Sequence, residues 1–403
     1  MPLGVQQWRV HLTPVTRVVD DDHRRHRGAT EDIQRDKSFG SHSDARQYNL
    51  ATVPIRVPPL VVSAFLFVAA LGLHAQNSAA PSGQITDVPG IRVGQYTLTE
   101  RPTGCTVVLA PPNTVGAVDQ RGGAPGTRET SLLAPENMVE VVHAIVLSGG
   151  SAYGLSTADG VMRYLSEQNI GYPVSGTVVP IVPAAILLDL SVGGKPEIRP
   201  GPECGYHAAA TAAAGVVARG SVGAGAGATV GKFANNRPMK GGIGTASLRG
   251  PDGLVVGAII AVNAAGSIID RRTGKPVAGV RTADGGGLED PFALIRGTSR
   301  VIGREMENTT IGVVATNARL TKAQALRVSI MAQDGLARAI FPAHTPGDGD
   351  TLFVLATGGL TDAPNVSRIG SLAAEVVSDA ILRAVREATG LPGYPAVRDL
   401  VKR

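Results

Sequence analysis

Residues 307–318 are Glu307-Asn308-Thr309-Thr310-Ile311-Gly312-Val313-Val314-Ala315-Thr316-Asn317-Ala318, a polar Asn-Thr step directly before an apolar, β-branched run. Such a run predicts a buried strand over residues 311–315. Cleavage of the Asn308–Thr309 bond would make Thr309 the first residue of that strand. An N-terminal threonine carries a hydroxyl nucleophile and an amine that can act as its base. From these residues alone, a plain loop or a glycosylation sequon is the better-supported interpretation.

The composition indicates a large globular chain with a core of small side chains. Of the 403 residues, 43% are hydrophobic and only 4% aromatic, while 51 are glycine. The formal net charge is +5, and the first fifty residues alone hold eight arginines and lysines. Elsewhere no basic helix face is interleaved with aromatic residues, so we expect no nucleic-acid partner.

The N-terminal region predicts export. Residues 1–50 are polar, rich in Arg, His and Asp, and without apolar periodicity, which is typical of a disordered or mis-annotated extension. Residues 51–80 predict a signal peptide, because the apolar run 60–73 has the length of a signal-peptide core and small residues follow it. We expect a bacterial periplasmic or secreted protein, with no membrane contact after signal removal, whose mature domain starts near Gln84.

Only two cysteines occur, Cys105 and Cys204, and no CxxC or Cys/His cluster accompanies them. This pattern argues against a structural zinc site, and we predict neither a metal nor an organic cofactor. The two cysteines could form one disulfide in an exported protein or remain two buried thiols. The second alternative is favoured slightly.

Long helices alternate with apolar strands, and no linker interrupts residues 84–395. This organisation predicts a single α/β domain, 84–403, with layered sheets and helices. The predicted strands and helices are strands over 105–110, 144–147, 255–262, 311–315 and 351–356, and helices ending near 165 and spanning 205–219, 321–341 and 371–389.

The second chemical feature is the sequence Asp348-Gly349-Asp350, which stands directly before a predicted strand. Residues two apart in an extended segment point the same way, and Gly349 allows the backbone to approach a neighbour closely. Neighbouring carboxylates resist simultaneous ionisation, so one of them can hold a raised pKa. This arrangement suits orienting an amine and exchanging protons. Taken alone, an acidic turn is the better-supported interpretation, and half a calcium loop is a weaker one.

Several motifs together resemble one family: the self-processing N-terminal-nucleophile hydrolases of the L-aminopeptidase/D-esterase (DmpA-like), β-peptidyl aminopeptidase and nylon-oligomer endohydrolase type. The similarity runs from about Ile85 to Thr389, nearly the whole mature chain. Its motifs are Thr86-Asp87-Val88-Pro89-Gly90-Ile91-Arg92-Val93-Gly94, Leu147-Ser148-Gly149-Gly150-Ser151-Ala152-Tyr153-Gly154-Leu155, Val222-Gly223-Ala224-Gly225-Ala226-Gly227, Lys240-Gly241-Gly242-Ile243-Gly244-Thr245-Ala246-Ser247, Asn308-Thr309 with its strand, and Asp348-Gly349-Asp350.

The resemblance implies an α-β-β-α sandwich like that of this family and the ornithine acetyltransferases. It implies autocatalytic cleavage of Asn308–Thr309 into an α chain, 84–308, and a β chain, 309–403. Thr309 would then be the nucleophile, as in the nylon-hydrolase-like branch, while serine fills this place in the aminopeptidases.

Further roles are implied residue by residue. Asp348 and Asp350 match the paired acidic residues near the nucleophile, and Lys232 matches a lysine near that centre. Asn263 matches an asparagine that helps to hold the developing oxyanion, and Ser221 is a further candidate polar contact. The aminopeptidases also have a tyrosine in the region of 181–189, and this chain has none there.

We therefore expect an exported, self-cleaving N-terminal-threonine amidohydrolase or aminopeptidase that acts on small peptides, amides or esters. The resemblance also implies a homo-oligomer of αβ units, a tetramer or larger. The alternatives are an acyltransferase of ornithine-acetyltransferase type and a non-catalytic binding protein on the same scaffold. A dinucleotide-binding protein is a weaker alternative, because Gly223-x-Gly225-x-x-Ala228 follows no clear strand.

Overall fold

Two five-stranded sheets organise the part of the chain that the structure, a computed structural model, describes: residues 83–233, 237–297 and 308–400. The predicted extension 1–50 and signal peptide 51–80 lie outside these residues. The strands are β1 (Arg92–Thr97), β2 (Gly104–Leu109), β3 (Val115–Gln120), β4 (Thr127–Arg128), β5 (Ala144–Ser148), β6 (Tyr172–Val174), β7 (Thr177–Val179), β8 (Ala184–Ile186), β9 (Thr229–Val230), β10 (Met239–Lys240), β11 (Gly242–Arg249), β12 (Val255–Asn263), β13 (Ser267–Asp270), β14 (Lys275–Ala278), β15 (Thr309–Ala318), β16 (Ile340–Phe341) and β17 (Thr351–Leu360).

The α-helices pack on the outer faces of the two sheets. They are α1 (Thr157–Glu167), α2 (Pro202–Ala210), α3 (Pro291–Gly297), α4 (Lys322–Ala339), α5 (Val366–Arg386) and α6 (Val397–Leu400). Helix α4 begins with a capping box, in which the Thr321 side chain accepts from Gln324 N and the Gln324 side chain accepts from Thr321 N. No helix within the described residues is both long and apolar enough to cross a membrane.

The two sheets contain different strands but have the same pattern of strand directions. The first has the order β1-β2-β5-β8-β4, and the second has the order β11-β12-β15-β17-β3. Each is antiparallel except for one central parallel pair, β5 with β8 and β15 with β17. The carboxyl ends of β5 and β8 therefore lie side by side at one edge of the first sheet. The first residues of β15 and β17 likewise lie side by side at one edge of the second sheet.

Three apolar clusters separate the layers. One lies between the sheets and includes Leu147, Ile311 and Phe353. A second joins the second sheet to α4 and α5, and a third joins the first sheet to α1 and α2. The layers therefore follow the order α-β-β-α, which confirms the predicted fold class.

Strand β15 shows why the motif lies where it does. Its odd-numbered side chains Ile311 and Val313 belong to the cluster between the sheets, while Val314 faces the helices. Successive side chains of a strand alternate between faces, so the side chain of Thr309 points into the space between the two sheets. The predicted strand is confirmed, and it extends at both ends to Thr309 and Ala318.

The predicted helix over 205–219 is wrong beyond its first turns. Helix α2 ends at Ala210, and Ala213 then pairs with Val93 of β1 by two backbone hydrogen bonds. Gly215 follows at φ +100°, a left-handed conformation that ends regular helix. Alanine content favoured helix, but close packing of this segment against β1 overrides that preference.

The expectation of two buried thiols is also wrong. Cys105 of β2 and Cys204 of α2 form a disulfide, with their Cα atoms 6.3 Å apart. This bond ties the outer helix layer to the first sheet across a sequence separation of 99 residues.

Candidate active site

The first residue of β15 is the meeting point of three chain segments. Thr309 lies opposite Asn263, the last residue of β12, and the preceding Asn308 forms a parallel bridge with Asp348. The structure thus brings Asn263, Thr309 and the Asp348-Gly349-Asp350 sequence together, as predicted. All are buried; Thr309 is only 5% exposed and each carboxylate 2%.

The peptide bond between Asn308 and Thr309 is held in a distinctive arrangement. The Thr309 hydroxyl donates a hydrogen bond to the carbonyl oxygen of Asn308. The same oxygen accepts from the backbone N–H of Gly349 at 3.0 Å. The hydroxyl therefore lies against the carbonyl group that precedes its own residue, and a fixed N–H polarises that carbonyl.

Position 349 has no room for a side chain. A Cβ atom at this position would lie 2.8 Å from Thr309 Oγ1 and 2.8 Å from the carbonyl oxygen of Ala124. Any side chain would displace the hydroxyl or the backbone, so the glycine between the two aspartates lets its own N–H reach Asn308.

Three nitrogen atoms surround the Asp350 carboxylate. Its Oδ1 accepts from Thr310 N at 2.7 Å, and its Oδ2 accepts from His344 N at 3.0 Å. The same Oδ2 lies 2.9 Å from Nδ1 of the His344 ring. These contacts fix the orientation of the carboxylate beside the first residues of β15.

Asp348 has the opposite environment. Its Oδ2 accepts from Thr345 N at 2.7 Å, while no described residue bonds its buried Oδ1. Burial, and next the negative charge of Asp350, raise the pKa of Asp348 to about 6, against a smaller lowering by hydrogen bonds and by Lys232. Within this carboxylate pair, defined as Asp348 and Asp350, Asp348 therefore takes up a proton as the pH falls through about 6.

Lys232 reaches the site through Asn263. Its Nζ donates to the backbone oxygen of Asn263 at 3.1 Å and to Asn263 Oδ1 at 2.9 Å. That Oδ1 also accepts from Thr229 N at 2.9 Å, and Asn263 Nδ2 donates to the carbonyl of Leu188 at 3.0 Å. The amide orientation is thus fixed by contacts from the first sheet and from the loop that carries Lys232.

Ser221 does not belong to this cluster. Its hydroxyl donates to the carbonyl of Thr389 at 2.9 Å and accepts from Thr389 N at 3.0 Å. Because Gly220 pairs with Ile243 of β11, the chain at Ser221 is directed to the end of α5. The described hydrogen bonds of Ser221 therefore join it to Thr389 after α5 and not to the cluster at Thr309, and its expected polar contact with the site stays a prediction.

His344 is the residue that sequence reasoning missed. It stands six positions before Asp350 and contacts it with both its backbone and its ring. Its φ of +56° places it in the left-handed region, which lets both nitrogen atoms face one carboxylate oxygen. The available signal was a histidine close before Asp-Gly-Asp, which alone does not fix a contact.

Comparison with solved structures defines the class. The fold matches the L-aminopeptidase D-Ala-esterase/amidase of Ochrobactrum anthropi, described as a variant of the N-terminal-nucleophile (Ntn) hydrolase fold, with a TM-score of 0.58. The match covers 82% of this chain and 93% of that one at 19% sequence identity. This molecule therefore has the Ntn-hydrolase fold of that class.

Sequence comparison then gives the family. The profile of peptidase family S58 matches residues 83–397, and the chain belongs to that family. An uncharacterized aminopeptidase of Mycobacterium leprae is 46% identical over 353 residues, 79% of this chain and 94% of that protein. A 6-aminohexanoate-oligomer endohydrolase of Agromyces sp. is 32% identical over 315 residues, 74% of this chain and 84% of that protein. The resemblance inferred from the motifs is confirmed, and the protein is a hydrolase of the aminopeptidase and amidase type.

Proposed function

We propose that this hydrolase cuts its own Asn308–Thr309 bond and then uses Thr309 as an N-terminal nucleophile on small peptide, amide or ester substrates. The observation that carries the proposal is the contact of the Thr309 hydroxyl with the Asn308 carbonyl, whose oxygen also accepts from Gly349 N. A nucleophile and an oxyanion donor thus converge on one carbonyl group.

Self-cleavage follows from this geometry in two steps. Thr309 Oγ1 attacks the Asn308 carbonyl carbon, and the Gly349 N–H stabilises the negative oxygen. The C–N bond breaks, the nitrogen of Thr309 takes the proton, and an ester remains on Oγ1. Water hydrolyses the ester to the Asn308 carboxylate and the free hydroxyl. The products are an α chain ending at Asn308 and a β chain whose first residue carries both a hydroxyl and an amine.

In the mature site the same groups act on a substrate. Thr309 Oγ1 attacks the substrate carbonyl while its own amine or Asp350 accepts the hydroxyl proton. The leaving amine takes a proton, and water releases the acyl group from Oγ1. The proposed role of Asn263 is to donate to the oxyanion, and that of Lys232 is to hold Asn263 and to favour the neutral Thr309 amine by like-charge repulsion.

The decisive experiment compares purified wild type with Thr309→Ala. Wild type should give two chains on a denaturing gel, the smaller being residues 309–403, which are 95 residues (403 minus 308). Thr309→Ala should remain one chain and be inactive, because it lacks the hydroxyl. Thr309→Ser should be cleaved, because serine keeps that group.

Thr310→Ala is the matched control. Thr310 is the buried neighbour of Thr309 and points to the opposite face of β15, and no described residue bonds its Oγ1. This variant should be cleaved like wild type. Cleavage of Thr309→Ala, or loss of cleavage in Thr310→Ala alone, contradicts the assignment. An uncleaved and inactive wild type supports a binding protein on this scaffold, and faster transfer to an added amine than to water supports an acyltransferase.

We also propose export and assembly. The Cys105–Cys204 disulfide supports an oxidising compartment such as the periplasm, consistent with a signal peptide over 51–80. The assembly we propose is the homo-oligomer of αβ units that the family resemblance implies. Cell fractionation tests the first proposal, and light scattering of the purified protein tests the second. The substrate class is sought with amino-acid amides, β-peptides, D-amino-acid esters and aminohexanoate oligomers.

A further inference from the structure

The His344 ring contacts the carboxylate of Asp350. Both its backbone nitrogen and its ring Nδ1 lie within 3.0 Å of Asp350 Oδ2. The side chain of His344 is 22% exposed, whereas that of Asp350 is 3% exposed. His344 therefore connects a buried carboxylate of the site with the protein surface.

The two members of the carboxylate pair differ by this contact. Three nitrogen atoms surround the Asp350 carboxylate, two of them from His344, and Asp348 Oδ2 accepts from one backbone N–H. No described residue bonds the buried Oδ1 of Asp348. The contact with His344 thus holds the orientation of one carboxylate of the pair and not of the other.

We infer that His344 is a positioning residue that orients the carboxylate of Asp350, with Nδ1–H donated to Asp350 Oδ2. This inference rests on the proposed function, because it assigns the orientation of a group in that site. In the mature enzyme the Asp350 carboxylate, held in this orientation, can receive the Thr309 hydroxyl proton or hold the Thr309 ammonium.

The other charged groups that face the pair are few in the described residues. Lys232 acts on Asp348 from the loop before β10, and the Thr309 amine joins the site after cleavage. Arg121 follows β3, but its guanidinium binds Asp119, and only its backbone N–H reaches Asp350. Because the His344 ring lies 2.9 Å from Asp350 Oδ2, its removal changes the surroundings of Asp350 directly.

The test uses substitutions that the backbone of residue 344 accepts. Asparagine and glycine are the residues that tolerate a φ of +56° best. His344→Asn keeps a donor in the position of Nδ1, and His344→Gly removes the donor without straining the backbone. Both retain the backbone N–H to Asp350. His207→Asn, an exposed histidine of α2, is the matched control and should match wild type.

The expected readout is the split of kcat from KM on an active substrate. His344→Gly should lower kcat about tenfold or more with little change in KM, because Asp350 loses the side chain that orients it. His344→Asn should restore most of the wild-type kcat. An unchanged kcat in His344→Gly, or equal losses in His344→Gly and His344→Asn, overturns the inference.

A second measurement does not depend on activity. The ¹⁵N shifts of the His344 ring in wild-type protein should show Nδ1 carrying the proton near neutral pH, and Asp350→Asn should change that state. An unprotonated Nδ1 beside Asp350 overturns the inference, even where His344→Gly fails to fold. An uncleaved, inactive wild type with a protonated Nδ1 instead sinks the proposed function and leaves the His344–Asp350 contact intact.

Discussion

Two buried acidic sites of this molecule are satisfied in different ways. Asp189, after β8, is 1% exposed and has a positive partner, because Arg101 donates to its Oδ1 at 2.9 Å. Gly150 N and the Thr103 hydroxyl donate to the same carboxylate. The carboxylate pair at Asp348 and Asp350 is also buried, but its described hydrogen-bond donors are the backbone N–H groups of Thr310, His344 and Thr345, with the ring of His344 beside them.

This difference between the two sites indicates that Asp189 has a structural role and that the carboxylate pair does not. Every oxygen of the Asp189 carboxylate is bonded, and Arg101 also binds the carbonyls of Val192 and Ile198. Asp348 retains an oxygen that no described residue bonds and has a raised pKa, of about 6. A carboxyl group that can gain or lose a proton near neutral pH at low cost is suited to chemistry, and one locked in an ion pair is not.

Removing one partner of the structural site should have the largest effect on stability. Arg101→Met leaves Asp189 buried without its cation, and we expect a loss of about 3–5 kcal/mol of unfolding free energy. Urea denaturation measures it. The control is Arg368→Met, which breaks an ion pair whose side chains are 38% and 49% exposed and should cost about 1 kcal/mol or less. Equal losses in the two variants would remove the distinction drawn for Asp189.

Removal of the disulfide should have the second-largest effect on stability. It joins β2 to α2 on the same side of the molecule as Arg101 and closes a loop of 99 residues. The double variant Cys105→Ala/Cys204→Ala should lose about 2–4 kcal/mol, because the unfolded chain regains the freedom that the bond removes. Self-cleavage at low temperature should persist, since the bond lies outside the site. An unchanged urea midpoint would mean that the bond does not contribute to stability.

The third change, Asp348→Asn, should have an effect of the opposite sign, because it should stabilise the folded protein. The pKa of Asp348 is raised in the folded state from its ordinary 3.8 to about 6, so the native state binds more protons than the unfolded state between these values. Stability from this group is complete below pH 4 and lost as pH rises through 6. The Asp348→Asn variant has no carboxyl group at this position, so it does not lose this stability as the pH rises.

The measurement compares Asp348→Asn/Thr309→Ala with Thr309→Ala, so that both proteins remain one chain. The asparagine variant should gain stability relative to its parent as pH rises from 4 to 7, by up to about 3 kcal/mol. Asp252→Asn, in an exposed ion pair, is the control and should show no gain. If the stability gained through Asp348→Asn instead fell as the pH rises, the pKa of Asp348 would not be raised in the folded state.

The sequence predicted the parts of the fold that depend on periodicity. Strands β12, β15 and β17 and helices α4 and α5 were readable, because long apolar patterns fix which face is buried. The end of α2 was not, since it depends on the pairing of Ala213 with β1. The disulfide was not either, because two cysteines 99 positions apart do not reveal a contact.

The site was predicted in part for a similar reason. Motifs located Asn308, Thr309 and the two aspartates, which a strand and a short loop place together. The contact of His344 depends on a left-handed backbone that histidine seldom adopts. Gly149, directly after Ser148, is explained by Asp189, since a Cβ at this position would lie 2.3 Å from its carboxylate oxygen. This close approach serves the structural ion pair and could not be read from the glycines alone.

The most direct test of the central claim is the mass and N-terminal sequence of the smaller chain of purified wild-type protein. Our account predicts a β chain of residues 309–403 that begins Thr-Thr-Ile-Gly-Val, and its absence in Thr309→Ala. A single intact chain with full hydrolase activity, or a cut at any other bond, would contradict it.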